Sequence, residues 1–186
     1  MPAGTVTVRD GALVIDDNAG CTVWLHEKLT APVVITYEAT VVARGGPNDR
    51  VSDLNCFWMA RDARSPGKLF ATLRSGRFAD YNQLRAYYVG QGGNANTTTR
   101  FRRYIGDSGV RPLLPEHDLD SAEVLLKANV TQKILLVANR GRVQYYRDGG
   151  LIFDYRDSEP YSRGYFGLRT TFSHLELRHF RVYRLP

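Results

Sequence analysis

The chain has 186 residues, 43% hydrophobic and 24% charged, which is the size and composition of one globular domain able to bury a full core. No apolar run approaches the roughly 20 residues of a membrane span, so no membrane partner is expected. Its 25 basic and 19 acidic residues give a net charge of +6, and 21 of the basic residues are arginine, the side chain suited to two-pronged recognition of carboxylate or phosphate.

Hydrophobic residues recur with period two almost throughout. Thr5–Arg9 and Ala12–Ile15 flank Asp10-Gly11 and predict a hairpin, because Asp-Gly supplies the positive φ of a tight turn. Cys21–His26 predicts the next strand, and residues 32–42 a long one rich in β-branched side chains. After the loop Gly45-Gly46-Pro47-Asn48-Asp49 comes a strand over 51–61, then an irregular stretch at 62–81 with Pro66, Gly67 and Gly76. Strands at 83–89 and 97–104 flank the loop Gly90–Asn96, and a polar connection over 105–122 carries Pro112 and Pro115. Strands at 133–139, 142–147, 151–155, 165–170 and 174–184 complete the chain. Only residues 121–128 could form a helix, of about two turns. About ten strands with frequent turn signals predict an all-β antiparallel sandwich or barrel, a single domain over residues 1–186. The lack of crossover helices excludes a βαβ nucleotide fold. Cys21 and Cys56 allow at most one disulfide, whose formation the sequence leaves open, and no C-x-x-C pair is present to hold zinc. No charged-then-apolar leader opens the chain, so an export signal is absent or already removed.

Two stretches are more specific. Val143–Tyr155, V-Q-Y-Y-R-D-G-G-L-I-F-D-Y, is followed by Gly164-Tyr165-Phe166-Gly167-Leu168-Arg169 and Phe180-Arg181-Val182-Tyr183. This run resembles the closing strands of concanavalin A-like (laminin-G-like) jelly rolls, with Asp148-Gly149 as the hairpin turn and Gly164 and Gly167 letting the strand bend. Tyr81–Tyr104, which contains Y-N-Q-L-R-A-Y-Y-V-G-Q-G-G-N-A-N, is similar to an uncharacterised bacterial family of this fold. That family resembles jelly-roll proteins encoded beside enzymes that degrade rhamnogalacturonan and other acidic polysaccharides. The resemblance covers residues 11–186. It implies a concanavalin A-like jelly roll and an acidic oligo- or polysaccharide as partner; a monomer or weak dimer is expected, with the oligomeric state left open by the sequence. It also implies an extracytoplasmic location, periplasmic or secreted, with the export signal removed; a cytoplasmic one stays open.

Alternation proposes which side chains face a ligand groove. In 83–89 the apolar set Leu84, Ala86 and Tyr88 is read as facing the core, with Gln83, Arg85 and Tyr87 outward. Phe101 marks the core face of 97–104, leaving Thr98, Arg100, Arg102 and Tyr104 outward. Phe166, Leu168 and Thr170 are read inward, Tyr165 and Arg169 outward. In 53–60, Asp53, Asn55, Phe57 and Met59 share the outward face and Trp58 belongs to the core. Arg and Tyr on an outer face suit an acidic sugar, since Tyr stacks on a pyranose and Arg forks a uronate carboxylate. They equally suit solvated positions whose long side chains cover the sheet. The candidate binding residues are Asn55, Arg85, Arg100, Arg102 and Arg169. The candidate catalytic acids or bases are Tyr87 and Tyr104, assisted by His117, in the polar loop Pro115-Glu116-His117-Asp118, or by His174.

A glycosidase needs two carboxyls flanking the bond, and the E-x-D-x-x-E pattern of jelly-roll glucanases is absent. β-Elimination fits the residue set better: Arg and Asn would neutralise a uronate and Tyr or His would remove the C5 proton. The R-x-E-x-R, Q-x-H and Y-x-K-x-G-x-Y motifs of jelly-roll alginate lyases are nonetheless missing. The sequence therefore predicts a carbohydrate-active protein on acidic polysaccharide, polysaccharide-lyase-like, with a non-catalytic lectin-like binding module as the alternative. His26, His117, His174 and His179 are not paired at metal-ligand spacing, and no cofactor is expected. A structural Ca²⁺ is the one ion the fold suggests, at Asp16-Asp17-Asn18 or around Asp154, Asp157 and Glu159. Without a phosphate loop, a recognition motif or a block of basic residues, no nucleic-acid partner is expected.

Overall fold

The computed structural model describes residues 4–107 and 109–186. Among them, fourteen strands, numbered in chain order, form two antiparallel sheets. The first runs β1 (Thr5–Arg9), β2 (Ala12–Asp17), β14 (Ser173–Arg184), β5 (Val33–Val42), β10 (Thr131–Asn139), β11 (Arg142–Arg147), β12 (Gly150–Arg156). The second runs β3 (Cys21–Trp24), β13 (Arg163–Thr170), β6 (Leu54–Asp62), β7 (Leu84–Gly92), β8 (Thr98–Ile105), β9 (Asp118–Leu119), and β4 (Leu29–Thr30) also pairs with β13. This is the all-β sandwich that the alternation predicts. Both Asp-Gly turns lie where expected, with φ of 51° and 72° at Asp10-Gly11 and 52° and 83° at Asp148-Gly149. The expected helix at 121–128 is only a 3₁₀ turn at Ala122–Val124. So short a segment gains too little to offset helix nucleation, and burying Leu126 in the core draws the chain out of it.

One face of each sheet builds the core. Ile15, Ile35, Tyr37, Leu136, Tyr145 and Leu175 from the first sheet meet Cys56, Trp58, Tyr87, Val89, Phe101, Phe166 and Leu168 from the second. Trp58 is thus a core residue, as expected. Cys21 and Cys56 are both free; they lie on β3 and β6, on opposite sides of β13.

A second cluster covers part of the outer face of the second sheet. Phe57, Ala60, Leu84, Ala86, Tyr88, Tyr104 and Tyr165 lie beneath Leu69 and Tyr81, which belong to a strap over residues 63–82. Phe57 is its hub, 4.8–5.9 Å from the rings of Trp24, Tyr81, Tyr88 and Tyr104. The strap hangs on Asp62, whose buried carboxylate accepts from the Arg64 backbone N–H (2.9 Å), from the Arg64 guanidinium (3.0 and 2.8 Å) and from Arg74 Nη2 (2.6 Å). Burial pulls its pKa upward, but the bonds and charges of Arg64 and Arg74 outweigh this and hold it below the usual carboxylate range.

The strap corrects one expectation. Strand β7 is apolar on both faces, so the rule that the apolar face turns inward assigns it backwards. Tyr87 and Val89 enter the core between the sheets, whereas Leu84, Ala86 and Tyr88 face outward under the strap. Arg85 shares the Tyr87 face of the strand and is exposed. A bulge after Trp58, with Met59 at φ 54°, also turns Met59 inward and Ala60 outward. Gly164 and Gly167 serve close approach: a Cβ at Gly164 would strike the Met59 backbone, and one at Gly167 the Trp24 ring.

Candidate functional site

Cross-strand register lays a polar row over the outer face of the second sheet. Arg169 pairs with Asn55, Asn55 with Gly90, Gly90 with Arg100, and Arg100 with Asp118. The next row holds Gly167, Phe57, Tyr88 and Arg102. Side chains in register share a face, so Asn55, Arg100 and Arg102 come together. They line a pocket of about 340 Å³ with Arg50, Asp53, Phe78, Tyr88, Asn94 and Arg111. At its floor Gly90 leaves room for the Tyr88 ring to lean over it, and a Cβ there would stand 2.8 Å from the Tyr88 hydroxyl.

The lining carries four arginines against one aspartate, Asp53. Two of the four are tied to carboxylates: Arg50 Nη2 donates to Asp53 Oδ2 at 2.6 Å, and Arg100 grips Asp118 through bonds of 2.6 and 3.1 Å. Arg102 Nη1 donates to the Arg111 carbonyl at 2.6 Å. Burial, with the charges of Arg100 and Arg111, lowers the Arg102 pKa. The Arg111 guanidinium lies 5.2 Å from the Phe78 ring centre. Arg169 is only 1% exposed, with its guanidinium 5.0 and 4.6 Å from the rings of Phe78 and Tyr81. Its Nε and Nη1 find no hydrogen-bond partner among the described residues, and neither does Asn55 Oδ1. Buried polar atoms are nearly always paired; these three lie in or beside the pocket, and others without a partner among the described residues occur elsewhere, at Tyr37, Trp58 and Thr170.

One wall is strained. Asn94, Ala95 and Asn96 take φ of 53°, 59° and 63° in succession. Left-handed backbone costs an L-residue roughly 1–2 kcal/mol. Asn96 clasps the Leu126 backbone with both ends of its amide, Nδ2 to O at 3.0 Å and Leu126 N to Oδ1 at 2.8 Å, and Thr97 Oγ1 donates to Asn94 O at 2.9 Å.

The four catalytic candidates do not converge. Tyr104 alone faces the outer side, buried beneath the strap, and burial pushes its phenol up to about 12 despite Arg102, Arg111 and Arg169 nearby. Tyr87 lies inside the sandwich, where its hydroxyl donates to Asp157 Oδ2 at 2.7 Å and accepts from Tyr161 N at 3.0 Å. Burial and Asp157 raise its pKa. His117 packs its ring against Phe101, Phe153 and Tyr155 at 4.9–5.8 Å, and burial lowers its pKa. It is therefore part of the core margin, away from the pocket. His174 is on β14 in the other sheet, with Nδ1 2.9 Å from Asp49 Oδ1. Arg85 points away from the pocket. Arg169 lies beside it under Phe78. Arg50, Phe78, Tyr88, Asn94 and Arg111 escape the sequence reading. Tyr88 is lost to the reversed face of β7, and the others sit in loops without periodicity.

In the two acidic turns considered for Ca²⁺, three carboxylates are engaged within the protein, while Asp17 keeps a buried Oδ2 with no partner among the described residues. Asp154 is engaged by Arg142 through bonds of 3.0 and 2.8 Å, Asp157 by Tyr87, Arg103 and the Glu159 backbone, and Asp16 by Asn48. Among the described residues no three His, Cys, Asp or Glu side chains come together.

A family model matches residues 15–180. The chain belongs to DUF6250, a domain of unknown function. No curated protein sequence matches it. By structure the DUF6250 chain is similar to a Bacillus subtilis protein of unknown function with a galectin-like fold, at 17% identity and TM-score 0.73, covering 98% of this chain and 86% of that one. It is also similar to the carbohydrate-binding module CBM66 from Bacillus subtilis, at 13% identity and TM-score 0.61, covering 96% and 91%. A third neighbour is the exoplasmic/lumenal domain of VIP36 in its Ca²⁺/Man-bound form, at 13% identity and TM-score 0.62, covering 98% and 82%. The shared feature is the galectin-like jelly-roll fold, in agreement with the closing-strand motifs.

Proposed function

We propose that this DUF6250 domain is a lectin-like saccharide-binding module whose ligand is acidic. The observation that carries the reading is the pocket's arginine excess beside two aromatic rings, Tyr88 and Phe78. Phe78 and the rim of the buried Tyr88 give the pocket an apolar wall, and Arg102 and Arg111, which pair with no carboxylate among the described residues, suit a uronate. The names of CBM66 and VIP36 support sugar binding on this fold. An extracytoplasmic setting, where such polymers are met, accords with it.

The test is binding to a panel of uronate polysaccharides and their carboxyl-reduced, neutral counterparts. Arg102→Met should weaken binding about 10–100-fold, the equivalent of one charge-assisted hydrogen bond. Equal binding to charged and reduced polymers would refute acidic specificity. β-Elimination remains a second reading because Tyr104 and the arginines share the outer face. Its phenol, buried and held at about 12, is poorly placed to take a proton, so binding is preferred. Ultraviolet absorbance from an unsaturated product, lost in Tyr104→Phe, would reverse that preference.

A further inference from the structure

We infer that the pocket takes the terminal residue of an acidic saccharide chain and not an internal stretch of it, an inference that rests on the saccharide-binding reading above. The polar row crosses the sheet from Arg169 on β13 to Asp118 at β9. A polymer lying along that row would need both ends open. The β13 end is shut, because Phe78 and Tyr81 of the strap lie over Arg169 and leave it 1% exposed. Arg50 closes the adjoining side. It donates to the carbonyls of Thr171 (2.5 Å) and Phe172 (3.1 Å) as well as to Asp53, tying the loop before β6 to the turn after β13. The left-handed turn at Asn94 and Ala95 forms a further wall, and Arg111 another.

These walls are anchored. The strap is held by the buried Asp62–Arg74 pair, and the turn by the two bonds between Asn96 and Leu126. The volume, about 340 Å³, is at the small end for ligand sites. It holds about one or two sugar rings, and a continuing chain has no way out beneath the strap. Within it, Phe78 and the hydroxyl end of the buried Tyr88 line the wall, Arg102 and Arg111 offer charge, and Asn55 and Asn94 offer amides for hydroxyl groups.

The experiment is calorimetric titration of the wild-type chain with uronate oligomers of one to six units and with the parent polymers. For the series that binds, affinity should level off by the second unit, and the polymer should take one protein per chain whatever its length. Reducing the carboxyl of one terminal residue should abolish binding, while reducing only internal carboxyls should leave it. Several proteins per chain, with affinity rising in proportion to chain length, would mean that internal units bind; that result overturns end recognition and leaves saccharide binding standing. Absence of binding to every acidic saccharide overturns both.

Discussion

Replacing Tyr87 by Phe separates a ligand role for this residue from a folding role. The ring lies in the core between the sheets, and its hydroxyl donates to Asp157 Oδ2 at 2.7 Å while accepting from Tyr161 N at 3.0 Å. Asp157 keeps Arg103 Nε at 2.7 Å and the Glu159 N–H at 2.9 Å, so its charge is not abandoned. The Tyr161 N–H is left with no partner in a buried position. A hydrogen bond to a charged group contributes about 1.5–3 kcal/mol, and an orphaned buried donor costs about 1–3 kcal/mol. The two overlap because Arg103 and the chain around Tyr161 can relax, so a loss of roughly 2–4 kcal/mol is expected. For a chain of this length that lowers Tm by about 5–15 °C. Urea unfolding should show a lower midpoint with an unchanged m value, and saccharide affinity should stay within about twofold. Stability changed by less than about 0.5 kcal/mol, together with lost binding or turnover, would refute the argument and place Tyr87 at the ligand.

Three further outcomes follow from the anchors of the pocket. Asp62→Asn removes the carboxylate from the buried Arg74 guanidinium, a change that costs about 3–5 kcal/mol when it leaves a charge unpaired. Hydrogen exchange should locate the loss in residues 63–82. Because the Asp62 pKa is lowered by folding, its contribution is complete above the unfolded value of about 4 and disappears as pH falls through the folded one. Wild type should therefore lose stability in that acid range more steeply than Asp62→Asn, and parallel acid titrations of the two would count against the pair. Asn96→Ala breaks both bonds to Leu126 and puts alanine where asparagine tolerates positive φ; a loss of about 2 kcal/mol with weakened saccharide binding is expected. Unchanged affinity in that variant would show that the turn does not shape the pocket.

The fold was legible because nearly every strand alternates, and because Asp-Gly turns mark two of the hairpins, β1–β2 and β11–β12. The polar face of β8 was legible for the same reason: Phe101 separates Arg100 and Arg102 from the core unambiguously. Strand β6 also shows its sides, with Asn55 on one and Trp58 on the other, until the bulge at Met59 interrupts the period. Strand β7 was not legible. Its two faces are both apolar because each has its own cover, and alternation cannot say which cover is the opposite sheet. The missing information lies in residues 62–81, whose Leu69, Phe78 and Tyr81 have no regular spacing and read as loop. Five large apolar residues, Phe70 and Leu73 included, in a loop otherwise rich in Gly, Ser, Arg and Asp are nonetheless a sign that the loop packs on something.

The feature that defeats alternation also makes the site. A sheet with one solvated face would spread Arg169, Asn55, Arg100 and their neighbours over an open surface, where water screens each charge and solvates each amide. The strap covers one part of that face with Leu69 and Tyr81 and brings Phe78 to the edge of what remains. Arg169 is desolvated under it, and Arg102 is half-buried beside it with no carboxylate to neutralise it. Desolvation of this kind weakens a fold unless an anion or a bonded network offsets it. Folding energy in the outer cluster around Phe57, where a large ring contributes about 3–5 kcal/mol against truncation to alanine, is what sustains it. On this argument the aromatic cluster and the arginine pocket are one device, and Phe57→Ala should weaken saccharide binding although Phe57 does not line the pocket. A Phe57→Ala protein that stays folded and binds as tightly as wild type would separate the two.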